Sequence, residues 1–399
     1  MPTVIRPCID RHPELQPDTC AVCRGFTPAG WRGHSAGPAA RRDLLPSRRF
    51  DPCPHLGPKA GGQPCGTDLY ECRYDGTLCS KSRACDRTVR VCETCPHHPA
   101  AAGPLVPVRD VIVDRTRLVP NPQQMNNSVL PYKGRLLMAY RTGWSGSRVH
   151  VCELDPATYT PGPSTTLDLR HRFAVGGRED PRLFAHDGRL HLAYVGVRQT
   201  GPKAVVARQL FAVLNDDLTV EREWEPQYGL STSWEKNWSP FSHGGKLYAV
   251  YSLRPWVVLE LRDDESTAAV GDHHKGLPWS HGLPRGGAPP VLHDGEWYCW
   301  FHGTDKRKSP ALYTVGVCTF EADPPFRPLR CTRAPVLRPD LTLRQPDGSE
   351  AGQWYAATQF PCGAYFEAGR WVVSMGRNDH WCAVSEFDAA QVEGRLAPV

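Results

Sequence analysis

The sequence predicts an all-β chain, a five-bladed β-propeller preceded by a small cysteine-rich, metal-binding module. Three observations lead there. A pattern recurs five times: an apolar strand-like run, a Gly-centred turn and a second, aromatic-rich run, as in SVLPYKGRLLMAYRT from Ser128 and PRLFAHDGRLHLAYVG from Pro181. The turn glycines, Gly134, Gly188, Gly245, Gly295 and Gly369, are spaced 54, 57, 50 and 74 residues apart, a propeller period. Finally, 39 Pro and 36 Gly among 399 residues, without sustained helical periodicity, fit many short strands and turns.

Each copy reads as a β-hairpin, because alternating apolar and polar residues flank a turn in which Gly supplies positive φ without a Cβ clash. The other copies are SPFSHGGKLYAVYSLRP from Ser239, PPVLHDGEWYCWFHGT from Pro289 and GAYFEAGRWVVSMGRND from Gly363. One hairpin cannot bury its apolar face alone, whereas repeated hairpins pack radially as blades. The repeat also locates a site. Asn126, Asp180 and Asn237 each stand eight residues before their turn glycine, and Arg141, Ser252 with Arg254, His302, and Asn378 with Asp379 follow theirs by seven to ten. Both sets lie at the open end of a hairpin, so they converge on one face of the disc.

Residues 1–104 differ from residues 105–399. Ten of the 16 cysteines precede Pro96, and HHPAAAGPLVP reads as the linker between a cysteine-rich region, ordered over about 50–99, and the propeller. Cys92-Glu-Thr-Cys95 has the spacing that lets two thiolates share one tetrahedral metal, with Cys53, Cys65, Cys72 and Cys79 as the further ligands expected. Structural zinc is the expected ion, and an iron–sulfur cluster or a disulfide framework are the alternatives.

No apolar run approaches the roughly 20 residues a membrane helix requires, and the N-terminal stretch lacks the apolar core of a secretory signal, so a cytoplasmic protein without membrane contact is expected. A net charge of +5 is modest for 399 residues and only weak evidence for nucleic acid, which is not expected as a partner. Oligomeric state is not encoded in any feature of the chain.

The segment with most chemistry is Gly177-Arg178-Glu179-Asp180-Pro181-Arg182-Leu183-Phe184. Two adjacent carboxylates between arginines are costly to bury, and an apolar strand gains nothing from them. Pro181 is expected to hold Asp180 extended and aimed in one direction. A structural ion pair closing the blade is the competing reading. Lys236-Asn237-Trp238 and Asn126-Asn127-Ser128 at the matching places favour a site. Trp238 and Trp381 adjoin polar positions and are expected to offer faces to a sugar, the other tryptophans being core.

On these residues the chain resembles glycoside hydrolase family 130 and the related glycosyltransferase family 108, from about Val108 onward and in blade order. The likeness rests on Asn126 and Arg141, Glu179-Asp180-Pro181-Arg182, Lys236-Asn237, Arg254-Pro255, Pro289-Pro290-Val291 with His302-Gly303, and Phe360-Pro361-Cys362-Gly363-Ala364 with Gly376 and Asp379. It implies an inverting enzyme acting on β-mannosides, a hydrolase, a phosphorylase with inorganic phosphate as co-substrate, or a mannosyltransferase. Asp180 would be the general acid, with a raised pKa. Asn126, Glu179, Arg182, Asn237, Trp238, Asn378 and Asp379 would bind the oligosaccharide or sugar-phosphate substrate. Arg141, Lys236, Arg254 and His302 would bind phosphate, and Asp379 or Glu350 would serve as base if water attacks. The chain departs from the family at Ser252-Leu253-Arg254, where phosphorylases carry a His before the Arg. A non-catalytic propeller binding glycan or protein through the same face is the alternative from another class.

Overall fold

The computed structural model describes residues 104–399, apart from 202–203, 229–233, 274–275, 307–310, 341–342 and 344–355, together with the backbone of three strands nearer the N-terminus. The chain divides into two units, Met1–Gly103 and Pro104–Val399. In the first, Leu56–Pro58, Thr67–Cys72 and Leu78–Ser82 form an antiparallel sheet. Cys72 and Cys79 therefore lie on paired strands, while Cys53, Cys65, Cys92 and Cys95 lie outside the described residues.

The second unit is almost entirely β and propeller-like. Sheet I holds Gln124–Tyr132, Arg135–Thr142, Arg148–Leu154 and Thr165–Thr166. Sheet II holds Gly177–His186, Arg189–Gln199, Val205–Leu214 and Val220–Trp224. Sheet III holds Ser239–His243, Lys246–Leu253, Trp256–Leu261 and Thr267–His273. A larger sheet contains two antiparallel runs. Run IV is built on Val291–His293, Glu296–Asp305, Ala311–Glu321 and Pro328–Thr332, with Leu283–Arg285 beside the far end of its second strand. Run V holds Ala356–Glu367, Arg370–Arg377 and Trp381–Asp388, and its last strand is completed from the other end of the unit by Arg109–Ile112, with Val111 opposite Val384.

The hairpin turns form as the sequence predicts. In each, the residue before the glycine also has positive φ: Lys133 (47°), Asp187 (48°), Gly244 (56°), Asp294 (46°) and Ala368 (50°). Two successive left-handed residues define the type I′ turn, whose twist matches that of the flanking strands.

Apolar clusters fill the seams between successive sheets. Leu137, Val149, Leu190 and Leu210 join I to II; Phe211, Trp238 and Leu259 join II to III; Trp256, Trp297 and Phe320 join III to IV; Trp300, Trp371 and Phe387 join IV to V. Met138, Tyr140, Val372 and Val384 join V back to I, so the packing closes a ring. Radial repetition of this kind leaves only short, protected sheet edges. Side-chain hydroxyls reinforce the seams: Leu183 N donates to Ser128 Oγ, and Val129 N donates to Ser374 Oγ, both at 2.9 Å. Among the described residues no helix is long and apolar enough to cross a membrane.

Candidate active site

The first strands of sheets I and II break register at their open ends, between Met125 and Ser128 and opposite Glu179 to Arg182. A bulge of this kind re-aims side chains. At the breaks, Asn126 (φ 55°) and Asp180 (φ 52°) are left-handed, and Asn237 (φ 70°) matches them just before sheet III. Asn and Asp tolerate this conformation because their short polar side chains bond locally. The extended Asp180 expected from Pro181 is thus corrected: the bulge, not the proline, sets its direction.

Asp180 is buried, and Asn126 Nδ2 donates to its Oδ1 at 2.7 Å. Arg141 Nη1 lies 3.7 Å from the same oxygen and 3.0 Å from Glu179 Oε1. Lys236 Nζ lies 3.7 Å from Asp180 Oδ2 and 3.5 Å from Glu179 Oε2. The two carboxylates are therefore bridged on one side by Arg141 and on the other by Lys236. Arg182, fully buried, does not join that bridge. It donates to the carbonyls of Asp180 (3.0 Å) and Gly287 (2.5 Å) and to Asn237 Oδ1 (3.3 Å), tying sheets II, III and IV together.

This arrangement reverses the expected titration of Asp180. Burial alone would raise its pKa, but Lys236, Arg141 and Arg182, with the Asn126 hydrogen bond, bring it down to about 2. Asp379 goes the other way. Burial and the Asp180 charge outweigh the attraction of Arg141 and raise it to about 6. The site thus contains two carboxyl groups whose environments drive them apart, the usual signature of an acid–base division of labour.

Several expected residues lie elsewhere or behave differently. Trp238 is corrected from sugar platform to core, packed among Phe184, Phe211 and Leu247. Trp381 stacks on Arg115, 5.3 Å from the guanidinium carbon. His302 is buried between Tyr313 and Phe360, and burial with the Arg285 and Arg182 charges lowers its pKa well below the usual range, so it is neutral and supplies no cation for phosphate. Arg254 is exposed and donates to the Trp279 carbonyl at 2.9 Å, with no ion pair to the carboxylates among the described residues. Asn378 spends its amide on structure, accepting from Thr358 N and donating to the Asp340 carbonyl. Glu350 lies outside the described residues.

Other residues escape the sequence reading. Arg285 sits opposite His302, half-buried, and desolvation lowers its pKa against the pull of Tyr313, Glu235 and Asp180. It stands ten residues before Gly295, as Glu235 does before Gly245, so the repeat offset carried the signal. Asn126 Oδ1, Arg141 Nε, His302 Nδ1 and Gln359 Oε1 are buried without a hydrogen-bond partner among the described residues. Orphaned buried polar atoms are rare, and a hydroxyl-rich ligand would satisfy them. No group of three or more His, Cys, Asp or Glu among the described residues is placed to hold a metal.

Neither a protein-family model nor a curated protein matches the sequence. Solved structures do resemble it. A candidate glycosidase from Bacteroides thetaiotaomicron shares 19% identity over 70% of this chain and 94% of its own, with a TM-score of 0.55. A structure from the GH130 family of mannoside phosphorylases, described as containing hydrolases that target β-1,2 mannosidic linkages in Candida mannan, shares 15% identity over 67% of this chain and 85% of its own, at 0.53. The β-1,2-mannobiose phosphorylase from Listeria innocua shares 15% identity over 73% and 95%, at 0.50. At such identities the likeness establishes the fold.

Proposed function

We propose that this protein is a carbohydrate-active enzyme acting on β-mannosides by inversion within a five-bladed propeller, with Asp180 as the group that exchanges a proton with the glycosidic oxygen. The observation that carries this reading is the Asp180 carboxylate, fixed by Asn126 and set between Arg141 and Lys236, with buried polar atoms of Asn126 and Arg141 left without a hydrogen-bond partner among the described residues. The resemblance at Glu179-Asp180-Pro181-Arg182 and the fold shared with mannoside phosphorylases support it.

With its pKa near 2, Asp180 carries no proton in the free protein at neutral pH. An anion bound against Arg141, Lys236 and Arg285 would cancel the field that keeps it ionised and let it take up the proton it must deliver. Inorganic phosphate, or the phosphate of a sugar nucleotide, has that charge. In phosphorolysis or hydrolysis the bond from the anomeric carbon to the glycosidic oxygen then breaks, the oxygen receives the Asp180 proton, and phosphate or water takes the carbon from the opposite face; in transfer from a sugar nucleotide the bond to the diphosphate oxygen breaks instead, the diphosphate leaves as an anion, and the Asp180 carboxylate takes the proton of the attacking acceptor hydroxyl. If water attacks, Asp379, with a pKa near 6, is the base.

A panel of β-mannosides assayed with and without phosphate, and with GDP-mannose as donor, separates phosphorolysis, hydrolysis and transfer. Turnover dependent on one of these co-substrates and lost in Asp180→Asn is the expected result. A protein that binds mannosides and turns over none is a glycan-binding propeller instead. The N-terminal cysteines are assigned to structural zinc, for which elemental analysis of the purified protein is the test.

A further inference from the structure

The groove between sheets II and III holds a cavity of about 360 Å³ that the mechanism does not use. His186, on its wall, lies six residues beyond Asp180 on the same strand, so roughly 20 Å of extended chain separates the two. The floor is apolar, with Val213, Trp224 and Leu247 all buried. His191 joins them at 8% exposure, and its Nδ1 has no hydrogen-bond partner among the described residues. Burial above all, with repulsion from His186 and Arg189, brings its pKa down to about 4, so at neutral pH the ring is uncharged and keeps one donor and one acceptor nitrogen.

The rim is charged but nearly balanced. Arg189, Arg222, Lys246 and Arg262 line it together with Asp187, Glu260 and Asp263. Arg189 pairs with Glu221, while Lys246 (3.1 Å) and Arg262 (3.3 Å) both pair with Glu260. Arg222 is exposed and has no ion pair among the described residues. Its Nη2 lies 3.5 Å from the Asp263 carbonyl and its guanidinium carbon 5.8 Å from the Trp224 ring centroid.

Such a lining selects neither a strong anion nor a cation, because most of its charges already neutralise one another. Donors and acceptors set side by side above carbon match a pyranose, whose adjacent hydroxyls both give and take hydrogen bonds while its C–H groups rest on the floor. The orphaned imidazole nitrogen points the same way, since a buried polar atom without a partner is rare and a hydroxyl would complete it. The volume lies at the small end of the range for ligand pockets.

We propose that this cavity is a second carbohydrate-binding site, remote from the Glu179 and Asp180 carboxylates, that holds a pyranose unit of a glycan without acting on it. That the unit is a mannose rests on the proposed function.

Histidine resonances report on the cavity directly. In the full chain carrying isotope-labelled histidine, the signal missing from His191→Phe identifies His191, the phenyl ring keeping the packing against Phe184, 5.2 Å away between centroids. Mannose or β-1,2-mannobiose should shift that signal saturably, and inorganic phosphate at the same concentration should leave it in place. Arg222→Ala should weaken the sugar binding by roughly tenfold, the loss of a hydrogen bond from a charged donor. No shift with either sugar, a shift with phosphate in place of the sugars, or equal affinity in Arg222→Ala would overturn the proposal, the last by placing the ligand elsewhere. Sugar binding at His191 in a chain that turns over no mannoside would sustain the second site and remove the enzymatic reading; turnover with an unresponsive His191 would do the reverse.

Discussion

The two ends of the hairpins are built by different rules. At the turn end, Gly134, Gly188, Gly245, Gly295 and Gly369 all have positive φ, and a Cβ on any of them would meet nothing within 4 Å. Glycine is needed there for its backbone alone. At the open end, Asn126, Asp180 and Asn237 are left-handed despite their side chains, and the glycine that matters, Gly376, is needed for space, since a Cβ would collide with the Asn126 amide oxygen. The turn end is local and could belong to any β-hairpin. The open end has geometry only because neighbouring sheets complete it, and that dependence turns a repeat into a site.

The comparison breaks most sharply at Asp180. Asp180→Asn keeps the shape, the left-handed backbone and a hydrogen-bonding partner for Asn126, but removes the transferable proton. Turnover of the best mannoside is expected to fall by roughly 10² to 10⁴-fold. Glu179 still bridges Arg141 and Lys236, so the circular dichroism spectrum and melting cooperativity should be retained. Activity near the parent level would leave Asp180 as a structural ion pair.

Gly376→Ala asks whether space at the open end is as necessary as charge. The added methyl would displace Asn126 and with it the hydrogen bond to Asp180, at a cost of about 1–3 kcal/mol by denaturant melting and a parallel fall in kcat/KM. Loss of stability without loss of activity would uncouple Asn126 from the site.

Asp379 sharpens the comparison through pH. Its folded pKa of about 6 lies above the ordinary 3.8, so ionising it costs stability, a cost that grows as pH rises from 3.8 and is complete above about 6. Asp180 has the opposite sign: its folded value near 2 contributes stability above 3.8 that is lost as pH falls through 2. Asp379→Asn should therefore be more stable than the parent above pH 6, by about 3 kcal/mol, with the difference closing below pH 4. The same variant should lose a limb near pH 6 in the profile of kcat/KM. An unchanged profile would remove Asp379 from the proton inventory.

How much was legible follows from the same division. The turn dipeptides carry their own conformational requirement, so all five hairpins and their spacing could be read from Lys133-Gly134 through Ala368-Gly369. The convergence of Asn126, Asp180 and Asn237 was readable because the offset repeats. Their left-handed backbone was not, since Pro181 argues for extension and only the register break overrides it. Charge balance was beyond reach too. A single EDPR motif does not reveal that Arg141 and Lys236, 38 residues before and 57 after Glu179 in the chain, bring Asp180 down rather than up. Trp238 looked functional for its polar neighbours, but its ring falls on the core side of the strand start.

The smallest expected effect lies at the turn end and tests whether that end is governed by backbone alone. Four of the five turns place Gly, Asp or Lys before the glycine in a left-handed conformation, while the fifth places Ala368 there, at φ 50°. Alanine has no side-chain oxygen to offset the clash of its Cβ with the following carbonyl, whereas Asn fits a type I′ turn. Ala368→Asn should therefore raise stability by about 1 kcal/mol, a shift of about 2 °C in Tm by calorimetry. Its kcat/KM should equal that of the parent, because the turn lies at the opposite end of the strand from Gly376 and Asp379. A destabilised variant would show that something beyond local dihedral preference holds the turn, and the contrast between the two ends would lose its physical basis.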